Sequence, residues 1–196
     1  MPDKPRSDKP RILDRRVLCR SRLFTIEEVD LRFASGAEVC FERLATTDRG
    51  IVMVAPLLDA DTIILVREYA AGTDRYELTL PKGLVDPGED ALEAADRELR
   101  EEAGFGAGHC EWLTSLTVAP GYNGQETTVV VARDLFPASL PGDEPEPLEV
   151  VHGSLANLDE LMAREDLTEA RTIATLYRVR DWIRRQDYTH QDRTDD

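Results

Sequence analysis

The chain has 196 residues, 41% hydrophobic and 32% charged, which suits one domain with a small appendage around a real core. Its net charge of −15 argues against broad binding to nucleic acid, whose affinity comes from basic groups neutralising phosphates, and means that an anionic substrate must be received by a local basic or metal-bearing site. There is no N-terminal apolar run with a cleavage site and no apolar stretch of about 18 residues, so a cytoplasmic protein with no membrane span is expected. Cys19, Cys40 and Cys110 are widely spaced and odd in number, which fits a reducing compartment and small buried hydrophobes better than a disulfide framework or a zinc site.

In chain order, residues 1–11 (MPDKPRSDKPR) carry three prolines and little to bury, and read as a disordered lead-in. Residues 12–48 read as an N-terminal β-sheet subdomain. Within it, alternating apolar residues from about Val17 to Leu44 flank a turn at Ala34-Ser35-Gly36 and predict a hairpin or two strands. The main domain is expected over 49–186. IVMVAPLL and TIILVREYA are buried-type strands joined by Asp59-Ala60-Asp61, and YELTL is a short strand delivering Lys82 and Gly83. CEWLTSLTVAP and TTVVVARDL read as two further strands, followed by the irregular acidic segment PGDEPEPLE. LANLDELMARE and TEARTIATLYRVRDWIRR have helical patterns, the second capped by Thr168 or Asp166, and residues 187–196 are a flexible tail. Strands interleaved with helices predict a mixed-sheet α/β sandwich.

Between the third and fourth strands of the main domain lies GLVDPGEDALEAADRELREEAGF, Gly83 to Phe105. Turn formers lead into a helix with Asp90 as expected N-cap and Gly104 in the left-handed C-terminal position. Leu92, Leu99 and Ala103 recur as a buried stripe, while Glu98, Glu101 and Glu102 emerge on one face. Like charges at that spacing repel, and hard divalent cations with oxygen ligands would offset the repulsion.

Gly83, Glu89, Arg97-Glu98-Leu99, Glu101-Glu102 and Gly104-Phe105 match the Nudix hydrolase signature at every defining position. The resemblance implies a Nudix-type α/β/α sandwich and a hydrolase of nucleoside diphosphates linked to another moiety, using Mg2+, with Mn2+ or Zn2+ as substitutes. Carried over by position, Glu98 and Glu102 look like metal ligands, with Glu101 a further ligand or acting through water, and the carbonyl of Lys82 resembles a backbone ligand. Glu89 and Arg97 look supportive, Arg97 pairing with Glu93 or Glu101.

VREYAAGTDRYELTLPKGLVDPGE, GDEPEPLEVV and RSRLFTIEEVDL extend the resemblance to the ADP compounds hydrolase group over about residues 10–185. Pro120, fifteen residues beyond Phe105, resembles the mark of the branch acting on ADP-ribose, though turn prolines are common. The resemblance implies ADP-ribose, NADH and short diadenosine polyphosphates as substrates, ADP-ribose giving AMP and ribose 5-phosphate. It makes Glu144 the candidate base and Glu146 an extra ligand, unless the acidic segment is a solvated linker. Arg67 resembles an arginine that grips the diphosphate, or is a surface charge. Phe41 and Arg43, with Phe24, Arg20 and Arg22 nearby, are candidates for stacking adenine, against core packing for each phenylalanine. A homodimer formed through the N-terminal sheet is implied. One departure is Thr79, where many relatives carry a glutamate; the glutamate here is Glu77. A sugar-nucleotide diphosphatase, for example of GDP-mannose, and a non-catalytic sensor of ADP-ribose or NAD are the alternatives. The sensor fits less well, because the signature glutamates are all present.

Overall fold

In the computed structural model, residues 8–46 and 49–191 are described, with side chains through 186. The first part of the expected lead-in and the last part of the expected tail, 192–196, therefore lie outside the described residues. The described residues form two compact units, one comprising those up to 46 together with 117–125, the other those of 49–116 and 126–191.

The smaller unit is an antiparallel sheet of β1 (Arg11–Arg20), β2 (Thr25–Arg32) and β3 (Glu38–Leu44), in that order. The expected turn joins β2 to β3: the Phe33 N–H donates to the Ala37 carbonyl at 2.9 Å, and Gly36 supplies a φ of 86°. β1 was not anticipated in full, because its polar sequence beside the prolines offers little periodicity; every one of its residues is exposed. Strand alternation gathers Val17, Val29, Leu31, Val39 and Phe41 on one face, where Phe33 lies 6.5 Å from Phe41 between ring centres. Residues 117–125 join this unit. Pro120 sits in a turn in which Tyr122 and Asn123 donate to the Ala119 carbonyl, and the Tyr122 carbonyl accepts the Leu44 N–H at 2.8 Å. Cys19 and Cys40 are exposed rather than buried, and Cys110 is half-buried.

The larger unit is built on β4 (Ile51–Pro56), β5 (Thr62–Ala70), β6 (Arg75–Thr79), β7 (Lys82–Leu84), β8 (Phe105–Thr117), β9 (Glu126–Pro137) and β10 (Glu149–Ser154). Helices α1 (Ala91–Glu102), α2 (Leu158–Met162) and α3 (Ala170–Gln191) complete it. One sheet has the order β7-β4-β9-β8 and is mixed, since β4 runs parallel to β9 and antiparallel to β7; the other is β10-β5-β6. The period of two along the strands builds the layers. Val52, Val54, Ile64 and Val66 pack with Ala94, Ala95 and Leu99 of α1, while Met53, Ala55, Ile63 and Leu65 pack with α2 and with Leu176 and Val179 of α3. The result is the expected α/β/α sandwich.

β7 and β10 have no counterpart among the expected strands, because each is short and borders a proline-containing segment. The first terminal helix is only five residues long, and α3 runs through the start of the expected tail to Gln191. Neither Thr168 nor Asp166 caps α3. Glu169 does so, accepting the Thr172 N–H at 2.7 Å, while the Thr168 hydroxyl donates to Glu77. Among the described residues no helix is long and apolar enough to cross a membrane.

Candidate active site

Helix α1 is stiffened at both ends. The Asp90 carboxylate accepts the Leu92 and Glu93 N–H groups at 2.8 and 2.9 Å, and Glu93 accepts the Asp90 N–H at 3.0 Å, closing a capping box. Gly104 takes a φ of 76° just past the last turn. The buried stripe is Ala94, Ala95, Leu99 and Ala103; Leu92, expected in it, is 37% exposed, because the small alanines bring the helix against the sheet along a line that bypasses it.

The flank next to this stripe carries the acidic residues. Glu98 and Glu102 are each only 8% exposed, and with Glu101 they line a cleft of about 450 Å³ that Lys82, Gly83, Arg97, Asp143 and Glu144 also line. The Lys82 N–H donates to Glu102 at 3.2 Å, while its ammonium pairs with Glu68 and lies 3.4 Å from the Thr79 hydroxyl. Gly83 lies directly against the Glu98 carboxylate, where a Cβ would overlap it.

Arg97 ties the loop to the helix. It donates to Glu89 at 2.9 and 3.0 Å, to Glu98 at 2.8 Å, to Glu101 at 3.1 Å and to the Leu84 carbonyl at 2.9 Å. Of the two partners expected one turn away, the structure selects Glu101. Glu89 also accepts the Asp86 N–H at 3.0 Å, which closes the turn before the helix. The Arg97 hydrogen bonds hold the Glu89 carboxyl below its usual range.

Burial dominates the two inner glutamates. It raises the Glu102 carboxyl to about 8, against the attraction of Lys82. Glu98 is also raised by burial, with Arg97 opposing. In the same cleft, burial and the neighbouring Glu68 carboxylate raise Glu144. Two desolvated carboxylates, Glu98 and Glu102, lining one cleft with Glu101 offer the oxygen donors that a hard divalent cation takes, so the residues present fit such an ion.

The other sequence expectations fare differently. Glu144 is brought into the cleft, but Glu146, expected as an extra ligand, is not among its lining residues: its carboxylate accepts the Tyr76 hydroxyl at 2.6 Å. Arg67, expected to grip the diphosphate, does not line the cleft either; it pairs with Glu149 on the neighbouring strand at 3.0 Å and with Asp166 at 2.8 Å. Phe41, Arg43 and Pro120 belong to the smaller unit, where Arg43 pairs with Glu27 at 2.6 Å. Glu77 is buried beneath Arg75 and Thr168. The reading of the sequence missed Arg49, Asp86 and Asp143 in the cleft wall. Arg49 pairs with Asp86, and Asp143 carried a signal only in being next to Glu144.

A mixed sheet between helices carries a capped helix that presents its acidic flank to a glycine of strand β7. The NUDIX domain model matches residues 48–178 and the NudE-type Nudix hydrolase N-terminal domain model matches residues 10–43, and the chain belongs to the Nudix hydrolase family. It is 49% identical over 178 residues to the ADP compounds hydrolase NudE of Escherichia coli (strain K12), covering 91% of this chain and 95% of that one. It is 25% identical over 166 residues to an ADP-ribose pyrophosphatase of Bacillus subtilis (strain 168), covering 82% and 89%. A crystal structure of an ADP compounds hydrolase superposes with a TM-score of 0.85 at 48% identity, covering 92% of this chain and 97% of that one.

Proposed function

We propose that this enzyme is a magnesium-dependent diphosphatase of ADP-linked compounds that converts ADP-ribose to AMP and ribose 5-phosphate and also accepts NADH and short diadenosine polyphosphates. The observation that carries this reading is the convergence of buried Glu98 and Glu102 with Glu101 and Glu144 on one cleft. Likeness along most of the chain to the E. coli ADP compounds hydrolase supports the substrate class.

Glu98 and Glu102, with Glu101 and the Lys82 carbonyl, would hold the cation. Magnesium bound there supplies positive charge to the diphosphate oxygens and acidifies water. Arg97 keeps Glu98 and Glu101 at fixed positions through its fork of hydrogen bonds, and Gly83 lets the strand approach Glu98 without a side chain between them. Glu144 lines the same cleft and takes the proton of the attacking water. The water oxygen bonds to phosphorus as the bridging P–O bond breaks, and the leaving phosphate departs with its electron pair. A carboxylate whose proton affinity is raised by burial is the better base, provided it is ionised before the water attacks.

The exposed apolar face of the smaller sheet, with Phe41 41% and Val17 54% exposed, supports a homodimer. Exposed, unpaired Cys19 and Cys40 support a reducing, cytoplasmic location. Incubation of the purified protein and magnesium with ADP-ribose, NADH, GDP-mannose and a nucleoside triphosphate tests the substrate class. ADP-ribose and NADH should be cleaved fastest. Preference for GDP-mannose would move the enzyme to the sugar-nucleotide diphosphatases, and exclusive cleavage of the triphosphate would reject the proposal.

A further inference from the structure

The acidic segment between β9 and β10 has no regular structure, and its residues from Pro141 to Pro147 are exposed, yet it carries Glu144 to the cleft. Both of its ends are anchored. On one side the Leu140 N–H donates to the Arg100 carbonyl at 3.2 Å, and Gly142 runs beside Glu101 with room for no more than a methyl group between them. On the other, Leu148 packs against the α1 core and Glu149 begins β10. Pro141, Pro145 and Pro147 fix their own φ angles and narrow the conformations open to the stretch between.

Between these anchors the chain bends at Pro145 and Glu146, and Glu146 meets Tyr76. The contact joins residues 70 apart in sequence and ties the segment to edge strand β6 by a short hydrogen bond to a carboxylate, the stronger class of such bonds. Tyr76 is itself set in place. Its ring meets Tyr69 edge-on with centres 5.5 Å apart, and the Tyr69 hydroxyl donates to Asp74 at 2.5 Å. The Glu146 carboxylate in turn raises the Tyr76 hydroxyl above its ordinary range, so Tyr76 remains the donor.

We infer that Tyr76 is a positioning residue for the reaction: through Glu146 it holds the 141–148 segment in the bend that turns Glu144 into the cleft. Tyr76 is not among the residues that line the cleft. Its effect reaches the chemistry only through the placement of Glu144, so the inference rests on the proposed role of that residue. Loss of the hydroxyl leaves the segment anchored at its ends but free between them, and a carboxylate misplaced by an ångström serves poorly as a base.

The test is a set of variants assayed for kcat and KM with ADP-ribose at saturating magnesium, each checked by thermal melting. Tyr76→Phe is expected to lower kcat roughly tenfold with KM within about twofold, since one charge-assisted hydrogen bond is lost. Glu146→Ala should match it, and the Tyr76→Phe/Glu146→Ala double variant should be no worse than either alone. Glu146→Gln, whose amide oxygen still accepts from the hydroxyl, should restore most of kcat. A merely structural contact would lower the melting temperature and leave kcat alone. Wild-type kcat in Tyr76→Phe beside a crippled Glu144→Gln overturns the inference and spares the role of Glu144, as do multiplicative losses in the double variant. Wild-type kcat in Glu144→Gln overturns both.

Discussion

The Glu98 carboxylate lies so close over the Cα of Gly83 that no side chain fits between them. The contact couples β7 to the acidic flank of α1 and explains why a glycine opens the signature: the requirement is space, not a left-handed backbone. Gly83→Ala should keep the fold, because the methyl group meets a side chain rather than the sheet. It should still lower kcat by about 100-fold, the cost of shifting a reacting group by an ångström. Kinetics beside a melting curve check this, and near-normal kcat would remove Glu98 from the site.

Arg97 holds two acidic residues of the flank and the carbonyl of Leu84 at once, a task that depends on its flat fork. Arg97→Lys keeps the charge and loses the span. It should cost about 1.5–3 kcal/mol of stability, equivalent to one lost hydrogen bond to a charged group, together with roughly tenfold in kcat. Chemical denaturation and steady-state assays measure the two. A lysine variant indistinguishable from wild type would show that charge alone suffices.

Burial raises the Glu102 carboxyl from an ordinary 4.5 to about 8 in the metal-free protein. Between those values the folded chain binds a proton that the unfolded chain has released, so metal-free stability should fall as pH rises from about 5 to 8. If magnesium is held there as proposed, it takes the ionised form and should flatten that slope by stabilising the folded state increasingly as pH rises. Glu102→Gln should reduce the slope too, since the most strongly raised carboxyl no longer titrates, and should lower turnover by orders of magnitude if the proposed metal-assisted water activation holds. Thermal melts across this range with and without magnesium test the pH claim; an unchanged slope in Glu102→Gln would place the titration elsewhere.

The part of the molecule legible in the sequence was the part whose chemistry restricts residue choice. Asp90 and Gly104 mark the ends of α1 because each satisfies backbone groups or angles that few residues can. The spacing of Glu98, Glu101 and Glu102 gave the acidic flank directly. The paired buried strands were visible because they are apolar on both faces, as Val52 and Met53 show. What escaped depends on partners distant in the chain. Arg67 is claimed by Glu149 and Asp166, and Glu146 by Tyr76; no local pattern announces either choice. β1 escaped because all its residues are exposed and its pairing to β2, rather than any burial, makes it a strand.

The most direct measurement is a crystal structure of the protein with magnesium and a non-cleavable ADP-ribose analogue. Ions within about 2.1 Å of the Glu98 and Glu102 carboxylate oxygens, bridging to the diphosphate, are the expected result. A diphosphate bound elsewhere, with those carboxylates free of metal and facing only water, would contradict it.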